Sequence, residues 1–331
     1  MHKQVRNLLA TVALAAASCV AAENPFIGNF ALTIPSGGAG WLGISEKDGK
    51  LQGSLLWGGG SPGDCKSAKV EGDTLIVTRE FTNKRKGPGG KETSEKEIET
   101  IRAKLVGDVI NLTTERQKVG SDKVTGKAEF SGKRIPAPGP APDLSKVKFG
   151  EPVALFNGKD LTGWRLLNDK ATNGWLVENG VLINRVEKKP GVHYGNIRTD
   201  REFEDFNLTL EARPTAGSNS GVYLRGIYEI QILESFGKPV DCHNMGALYG
   251  RIAPACSAEK PAGEWQTLDI TLVNRHVTVV LNGKKIIDNQ PIIGCTGGAL
   301  TSDEFKPGPI YLQGDHTSIE YRNIVLRPVV K

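Results

Sequence analysis

The sequence predicts an all-β protein built of two antiparallel units, a smaller barrel or sandwich followed by a two-sheet sandwich. Three observations carry that prediction. Apolar and polar residues alternate over much of the chain, and no 3.6-residue apolar periodicity competes with this pattern. Turn formers are abundant, with 40 Gly and 18 Pro among 331 residues. Hydrophobic residues make up 38% and charged residues 24%, which supplies a core and argues against disorder. Beyond the N-terminus no segment approaches the ~18–20 apolar residues of a membrane helix, so membrane insertion is not expected.

The first element is an export signal. His2, Lys3 and Arg6 precede an apolar run from Leu8 to Val20, and Ala21-Ala22 gives a small-residue exit. A positive start, a short apolar middle and small residues at the exit are the marks of a secretory signal peptide. Residues 1–22 are assigned to it, with cleavage after Ala22 and a secreted or periplasmic product. Acylation at Cys19 is the minor alternative. The net charge of +5 becomes +3 without Lys3 and Arg6, too small and dispersed to predict a nucleic-acid partner. The densest basic run, Lys84-Arg85-Lys86, is soon followed by Glu92, Glu95, Glu97 and Glu99 and reads as a solvated hairpin tip. Export leaves Cys65, Cys242, Cys256 and Cys295 in an oxidising compartment where pairing is expected, Cys242–Cys256 first because the two flank one loop.

Residues 23–132 read as a meander whose strands are Gly40–Glu46, Lys50–Trp57, Lys66–Val70, Asp73–Phe81, Lys96–Val106, Asp108–Arg116 and Lys123–Phe130. Short turns such as Asp48-Gly49 and Gly107-Asp108 suit hairpins. This unit has no His, and Trp41 and Trp57 are assigned to core packing rather than to sugar stacking. Residues 133–150 carry Pro136, Pro138, Pro140 and Pro142 at alternate positions, which favours an extended spacer.

Residues 151–331 form the second unit. Asn207–Arg213 and Trp265–Val273 alternate cleanly. Val277–Leu281 and Lys284–Ile287 flank Asn282-Gly283, which tolerates the positive φ of a type I′ turn. Trp175–Asn184, Val222–Glu234, Gly308–Gln313 and Ile319–Pro328 supply the other strands.

The chemistry concentrates in the segment NSGVYLRGIYEIQILE, Asn219–Glu234. On an extended strand Glu229 and Gln231 share one face while Tyr228, Ile230 and Ile232 take the other. Arg225 is placed to approach the same polar face. An Arg, a Glu and a Gln together suit a hydroxyl- or carbonyl-bearing ligand, and a solvated salt-bridged strand face is the alternative. The spacing E-x-Q-x-x-E resembles the E-x-D-x-x-E strand of jelly-roll β-glucanases, but Gln231 replaces the middle carboxylate, which argues against two-carboxylate hydrolysis. A second cluster is Gln313, Asp315 and His316, where the carboxylate raises the basicity of the imidazole. Between them lies the long loop Asp241–Lys260 with His243, Tyr249, Arg251 and Lys260, of a length that is usually functional. No nucleotide loop, nucleophile elbow or paired-histidine metal spacing is read.

Eight ordered blocks then carry a family resemblance: LFNGKDLTGW (Leu155–Trp164), WLVENGVL (Trp175–Leu182), NSGVYLRG (Asn219–Gly226), YEIQILES (Tyr228–Ser235), GALYG (Gly246–Gly250), KPAGEWQ (Lys260–Gln266), LNGKKIID (Leu281–Asp288) and YLQGDH…EYRNI (Tyr311–Ile324). Over residues 151–328 the chain resembles the DUF1080 family, named for 3-keto-disaccharide hydrolase activity, with a concanavalin A-like jelly-roll fold. Gly314 separates Gln313 from Asp315 where the family order is tighter, and Glu234 stands where Asp is commoner. The resemblance implies a carbohydrate substrate and cleavage of sugars already oxidised at C3. A 3-keto group acidifies the C2 hydrogen, so one base starts a β-elimination that releases the C1 substituent, and water adds to the enone. Under that reading Glu229 or His316 is the base and Arg225 polarises the keto oxygen. Asn219, Gln231 and Gln313 hold hydroxyls, and Tyr249 and Lys260 are candidate acids. No cofactor is required, and a divalent metal in the cleft is left open. A non-catalytic lectin that stacks sugars on Trp164, Trp175 or Tyr223 is the alternative function.

Overall fold

The computed structural model describes residues 24–34, 38–86, 92–187 and 189–330. The segment read as a signal peptide, Cys19 and the tip of the basic hairpin lie outside the described residues. Among the described residues every regular element is a β-strand, as the alternating pattern predicts.

The first nine strands are β1 (Gly28–Thr33), β2 (Ala39–Lys47), β3 (Lys50–Trp57), β4 (Gly59–Asp64), β5 (Ser67–Glu71), β6 (Thr74–Lys86), β7 (Glu92–Val106), β8 (Val109–Lys118) and β9 (Val124–Ile135). They form one antiparallel sheet in the order β4-β3-β2-β1-β9-β8-β7-β6-β5. Its two edge strands are consecutive in the chain, joined by Cys65-Lys66. Cys65 N donates to Gly53 O at 2.8 Å and Lys66 N to Thr78 O at 2.7 Å. One bent strand thus crosses from β3 to β6 and closes the meander into a barrel, which removes both free edges. Inward positions such as Phe30, Leu42, Leu75, Ile101 and Ile110 are fully buried. Glu99, on the inward parity of Ile101, is held by Arg79 Nε at 2.6 Å and Arg116 Nε at 2.9 Å; an unpaired carboxylate there would be costly.

Strands β1 and β4 escape the sequence reading. Gly28–Thr33 is short, and Gly59–Asp64, GGSPGD, has strand-breaking composition. The strand β9 runs on to Ile135, into the segment read as spacer. That segment lies against the second unit: Arg275 Nη2 donates to Pro136 O and Asn289 Nδ2 to Pro142 O, both at 2.8 Å.

The second unit comprises β10 (Val153–Ala154), β11 (Trp164–Leu166), β12 (Trp175–Glu178), β13 (Val181–Asn184), β14 (Ile197–Thr199), β15 (Phe206–Arg213), β16 (Asn219–Leu224), β17 (Tyr228–Leu233), β18 (Gln266–Val273), β19 (His276–Leu281), β20 (Lys284–Pro291), β21 (Tyr311–Leu312) and β22 (Ile319–Pro328). An eight-stranded sheet, β12-β13-β22-β15-β18-β19-β20 with β10 beside β22, packs on a five-stranded sheet, β11-β14-β21-β16-β17. Leu208, Ile270 and Val279 of the first and Val222, Ile230 and Leu312 of the second share one buried core.

That core extends into the barrel. Strand β2 is buried on both faces: Leu42 and Ile44 point into the barrel, whereas Ala39 and Trp41, with Leu56 of β3, join the sandwich cluster. The unbroken apolar run Ala39–Ile44 is the sequence signal of such two-sided burial. Arg251 lies 4.6 Å over the Trp41 ring, and its Nε donates to Cys295 O at 2.8 Å.

Two local expectations are corrected. Val222–Glu234 is not one strand but the arms of a hairpin, because the chain reverses at Arg225 (φ 55°) and Gly226 (φ 65°). The four described cysteines are free thiols, Cys242 and Cys256 included. They pack in separate places as small apolar side chains, Cys65 against the barrel core, Cys256 and Cys295 against the sandwich core.

Candidate active site

The face of the five-stranded sheet turned away from the core carries a cavity of about 250 Å³. Its floor follows from strand register. In the β16–β17 hairpin Tyr223 pairs with Glu229 and Gly221 with Gln231, and Tyr311 of β21 pairs with Tyr223. The parity expected for Glu229 and Gln231 is the parity found: both line the cavity, while Ile230 and Ile232 enter the core. Asn219, Tyr249, Gln313, Asp315 and His316 line the same cavity.

Glu229 is 3% exposed. It fits because residue 221 has no side chain; a Cβ there would lie 2.2 Å from Glu229 Oε1. Tyr223 Oη stands 2.8 Å from Glu229 Oε2 and 2.7 Å from Gly297 O. A phenol has one proton, so it serves one acceptor at a time. With Glu229 ionised it donates to the carboxylate. With Glu229 neutral, the carboxyl donates to it and it turns to Gly297. The Gln231 amide directs its nitrogen to Ser220 O at 3.0 Å and Glu229 Oε1 at 3.3 Å. Burial pushes the Glu229 carboxyl up to about 8, with the Tyr223 hydrogen bond pulling the other way. Tyr223 and Tyr311 stack at 3.9 Å, and burial holds both phenols far above their ordinary range, so both stay protonated.

His316 is half-exposed, with Nδ1 2.5 Å from Asp315 Oδ1. That hydrogen bond raises its pKa above the ordinary value while burial opposes it. Asn196 Oδ1 accepts from Gly314 N at 2.7 Å and Asp315 N at 3.1 Å, fixing the turn that presents the imidazole. Gln313 Oε1 is buried without a hydrogen-bond partner; an orphaned acceptor in a cavity wall is suited to a ligand hydroxyl.

Arg225 and Lys260 are not at this site. The reversal at Arg225 sends its guanidinium away from Glu229, and it donates to Glu304 O at 2.8 Å and Lys306 O at 3.0 Å, pinning that loop. Lys260 Nζ donates to Trp265 O at 3.1 Å. The lectin platforms are also closed. Trp164 and Trp175 are buried, with indole N–H groups on Leu155 O and Gly195 O at 2.7 and 2.8 Å, and the Tyr223 ring is buried against Tyr311.

The sequence reading missed Asn196, Tyr311 and the contribution of the barrel. Gly59 and Gly60 line the cavity. Gly59-Gly60-Ser61-Pro62-Gly63 does have the G-x-S-x-G spacing, which the sequence reading overlooked, but it lies on strand β4 with no helix behind it, unlike a nucleophile elbow. Ser61 Oγ lies 2.7 Å from His243 Nε2, and His243 Nδ1 lies 2.8 Å from Asp241 Oδ1. Asp241, Cys242 and His243 are the group of potential metal ligands found among the described residues. Hydrogen bonds already occupy both ring nitrogens, and none of the three lines the cavity.

Comparison with known proteins gives the family of the second unit. Residues 151–327 match the family model of the 3-keto-alpha-glucoside-1,2-lyase-like domain. A 3-keto-disaccharide hydrolase of Bacteroides thetaiotaomicron is 25% identical, over 41% of this chain. The chain spans 57% of the length of that relative. A candidate glycosyl hydrolase of Parabacteroides distasonis, solved by crystallography, is 29% identical with a TM-score of 0.44, covering 57% of this chain and 93% of that one. A carbohydrate-binding module of Bacillus subtilis is 11% identical with a TM-score of 0.36, covering 50% and 95%. The family match takes in more than half of the chain and every sandwich residue of the cavity, and the protein belongs to the 3-keto-alpha-glucoside-1,2-lyase-like family.

Proposed function

We propose that the protein cleaves 3-keto-glycosides by elimination and hydration, with Glu229 as the base. The observation that carries this reading is the chemistry of the cavity: one buried carboxyl, and a second, Asp315, committed to His316. Two-carboxylate hydrolysis needs both groups free to flank the glycosidic oxygen. Elimination needs one base, and a carboxylate with its pKa near the working pH is a stronger base than an ordinary one. Glu229 takes the hydrogen from C2, which the C3 carbonyl has made acidic, and the charge passes to the C3 oxygen. The C1–O bond then breaks as the leaving oxygen takes the proton of the His316 imidazolium. Neutral His316 then takes a proton from water as the hydroxyl adds at C1 of the enone, and C2 regains a proton from Glu229, which restores both groups. Gln313 Oε1 and the Asn219 amide suit the sugar hydroxyls, and Tyr249, now that Arg225 is elsewhere, is the donor we assign to the C3 oxygen. Cleavage of the signal near Ala22 and export belong to the same proposal.

Incubation with a disaccharide and with its 3-keto derivative tests it, followed by the ultraviolet absorbance of the enone and by deuterium uptake at C2. Cleavage of the 3-keto sugar alone, with deuterium at C2, is expected. Cleavage of the unoxidised sugar, or of neither, sinks the reading.

A further inference from the structure

The barrel lies outside the residues matched by the family model, yet its β3–β4 turn reaches the cavity. Gly59 and Gly60 border the same space as Glu229, Tyr249 and His316. Gly58 O accepts from Gly298 N at 2.9 Å, beside the two tyrosines of the floor. Gly60 is packed so closely that a Cβ on Gly297 would lie 2.1 Å from its carbonyl oxygen. The Ser61–His243–Asp241 chain of hydrogen bonds fastens the far end of the turn to the sandwich loop. Trp41 is seated between Arg251 and Gly294, where any Cβ would strike its ring at 2.3 Å. Three contacts therefore hold one short stretch of bare backbone against the cavity, and the two at Trp41 anchor strand β2 of the same sheet.

We propose that the barrel is part of the substrate site, and that Gly59-Gly60 is the wall that turns an open sandwich groove into a pocket for one terminal sugar ring. A cavity of about 250 Å³ falls just under the ~300–1,000 Å³ of sites that enclose drug-sized ligands. Asp315 and His316 also border a larger depression of about 600 Å³, lined by Glu187, Lys189 and His193, which has room for the group attached at C1. The substrate class is accordingly a keto-sugar at the end of a small glycoside, not an internal unit of a polysaccharide. Backbone amides and carbonyls without side chains meet the sugar, which permits the close approach that glycine allows.

This inference rests on the proposed reaction for its substrate, and its test separates the two. Gly59 and Gly63 both lie on β4, and a Cβ on either meets nothing within 4 Å, so Gly59→Trp and Gly63→Trp start from equally open positions and the melting temperature of each checks the fold. Only Gly59 borders the cavity. Gly59→Trp should raise KM for methyl 3-keto-α-glucoside at least tenfold with the melting temperature unchanged, and Gly63→Trp should leave both unchanged. Wild type should cleave a disaccharide oxidised on its terminal ring and leave an oligosaccharide oxidised on an internal ring intact. Equal KM values for the two variants, or cleavage of the internal unit, overturn the wall while leaving the reaction in place. If wild type turns over no keto sugar, the reaction fails. The wall is then read from saturation-transfer NMR with sucrose and methyl α-glucoside: signals lost in Gly59→Trp alone support it, and signals kept in Gly59→Trp, or absent from wild type, overturn it.

Discussion

Replacing Glu229 by Gln tests the buried carboxyl directly, without any substrate. Gln has the same shape and can still meet the Tyr223 hydroxyl, but it has no charge to bury. The folded carboxyl binds its proton up to about 8, whereas an ordinary, solvated one releases it at 4.5. Between those values the native state holds a proton that the unfolded chain has lost, so stability falls as pH rises. Each pH unit of that gap costs about 1.4 kcal/mol. Wild type should lose roughly 3 kcal/mol on this account by about pH 7 and roughly 5 by about pH 9, and Glu229→Gln none of it. At about 2–4 °C per kcal/mol for a unit of this size, the variant's advantage should grow by on the order of 10 °C between about pH 5 and about pH 9. Differential scanning calorimetry of both proteins across that range measures it. A difference that stays flat with pH would show that Glu229 ionises like a solvated carboxylate, and the case for it as a tuned base would go with it. Turnover should be lost in the variant at every pH.

Further expectations follow from the same geometry. The base must be ionised, so the Glu229-dependent limb of kcat/KM for a 3-keto-glycoside should bend near pH 8; a bend between about pH 4 and 5 would assign the base elsewhere. Gly221→Ala puts a methyl 2.2 Å from Glu229 Oε1 and should cut kcat at least tenfold for about 1–3 kcal/mol of stability, and unchanged kcat in a folded variant would show that Glu229 need not sit where it does. The four thiols should all alkylate in unfolded, unreduced protein, whereas Cys65 and Cys295, which burial pushes up to about 11 and about 12, should resist alkylation in the native state; a mass two hydrogens light would reveal a disulfide. Ser61 is a fastening and not a nucleophile, so a fluorophosphonate should leave the protein unlabelled, and an adduct on Ser61 would reverse that assignment.

How much of this was legible depended on how local the determinant is. Asn282-Gly283, with φ of 50° and 80°, marks its hairpin in two residues, and β3 and β22 occupy the ranges their alternation indicates. The shared face of Glu229 and Gln231 follows from a period of two and needs no partner strand. Arg225 was misplaced because the same counting was carried through a reversal: Arg225-Gly226 turns the chain, and parity does not survive a turn. Strand β4 could not be read because Gly59, Gly60, Pro62 and Gly63 are poor strand formers, held in the ladder by β3 rather than by propensity. The wall was invisible for a stronger reason. Ser61 meets His243 across 182 residues, and nothing in either local sequence names the other. The cysteine expectation failed similarly: composition suggested a compartment and a chemistry, but packing put the thiols in different places.

The position of β22 sets the order in which the molecule can be completed. This strand pairs with β13 and β15 on its two sides and with β10 near its end, so it lies inside the larger sheet although it follows all its partners in the chain. His316 lies three residues before its first residue, Ile319. A chain emerging from a ribosome, or threaded stepwise through a translocation channel, can pair β13 with β12 and β15 with β18, but the facing edges of β13 and β15 stay open until residue 328 has come through. Only then can the imidazole be brought opposite Glu229. The candidate site is completed only with β22, and a chain that stops short of it exposes two adhesive edges.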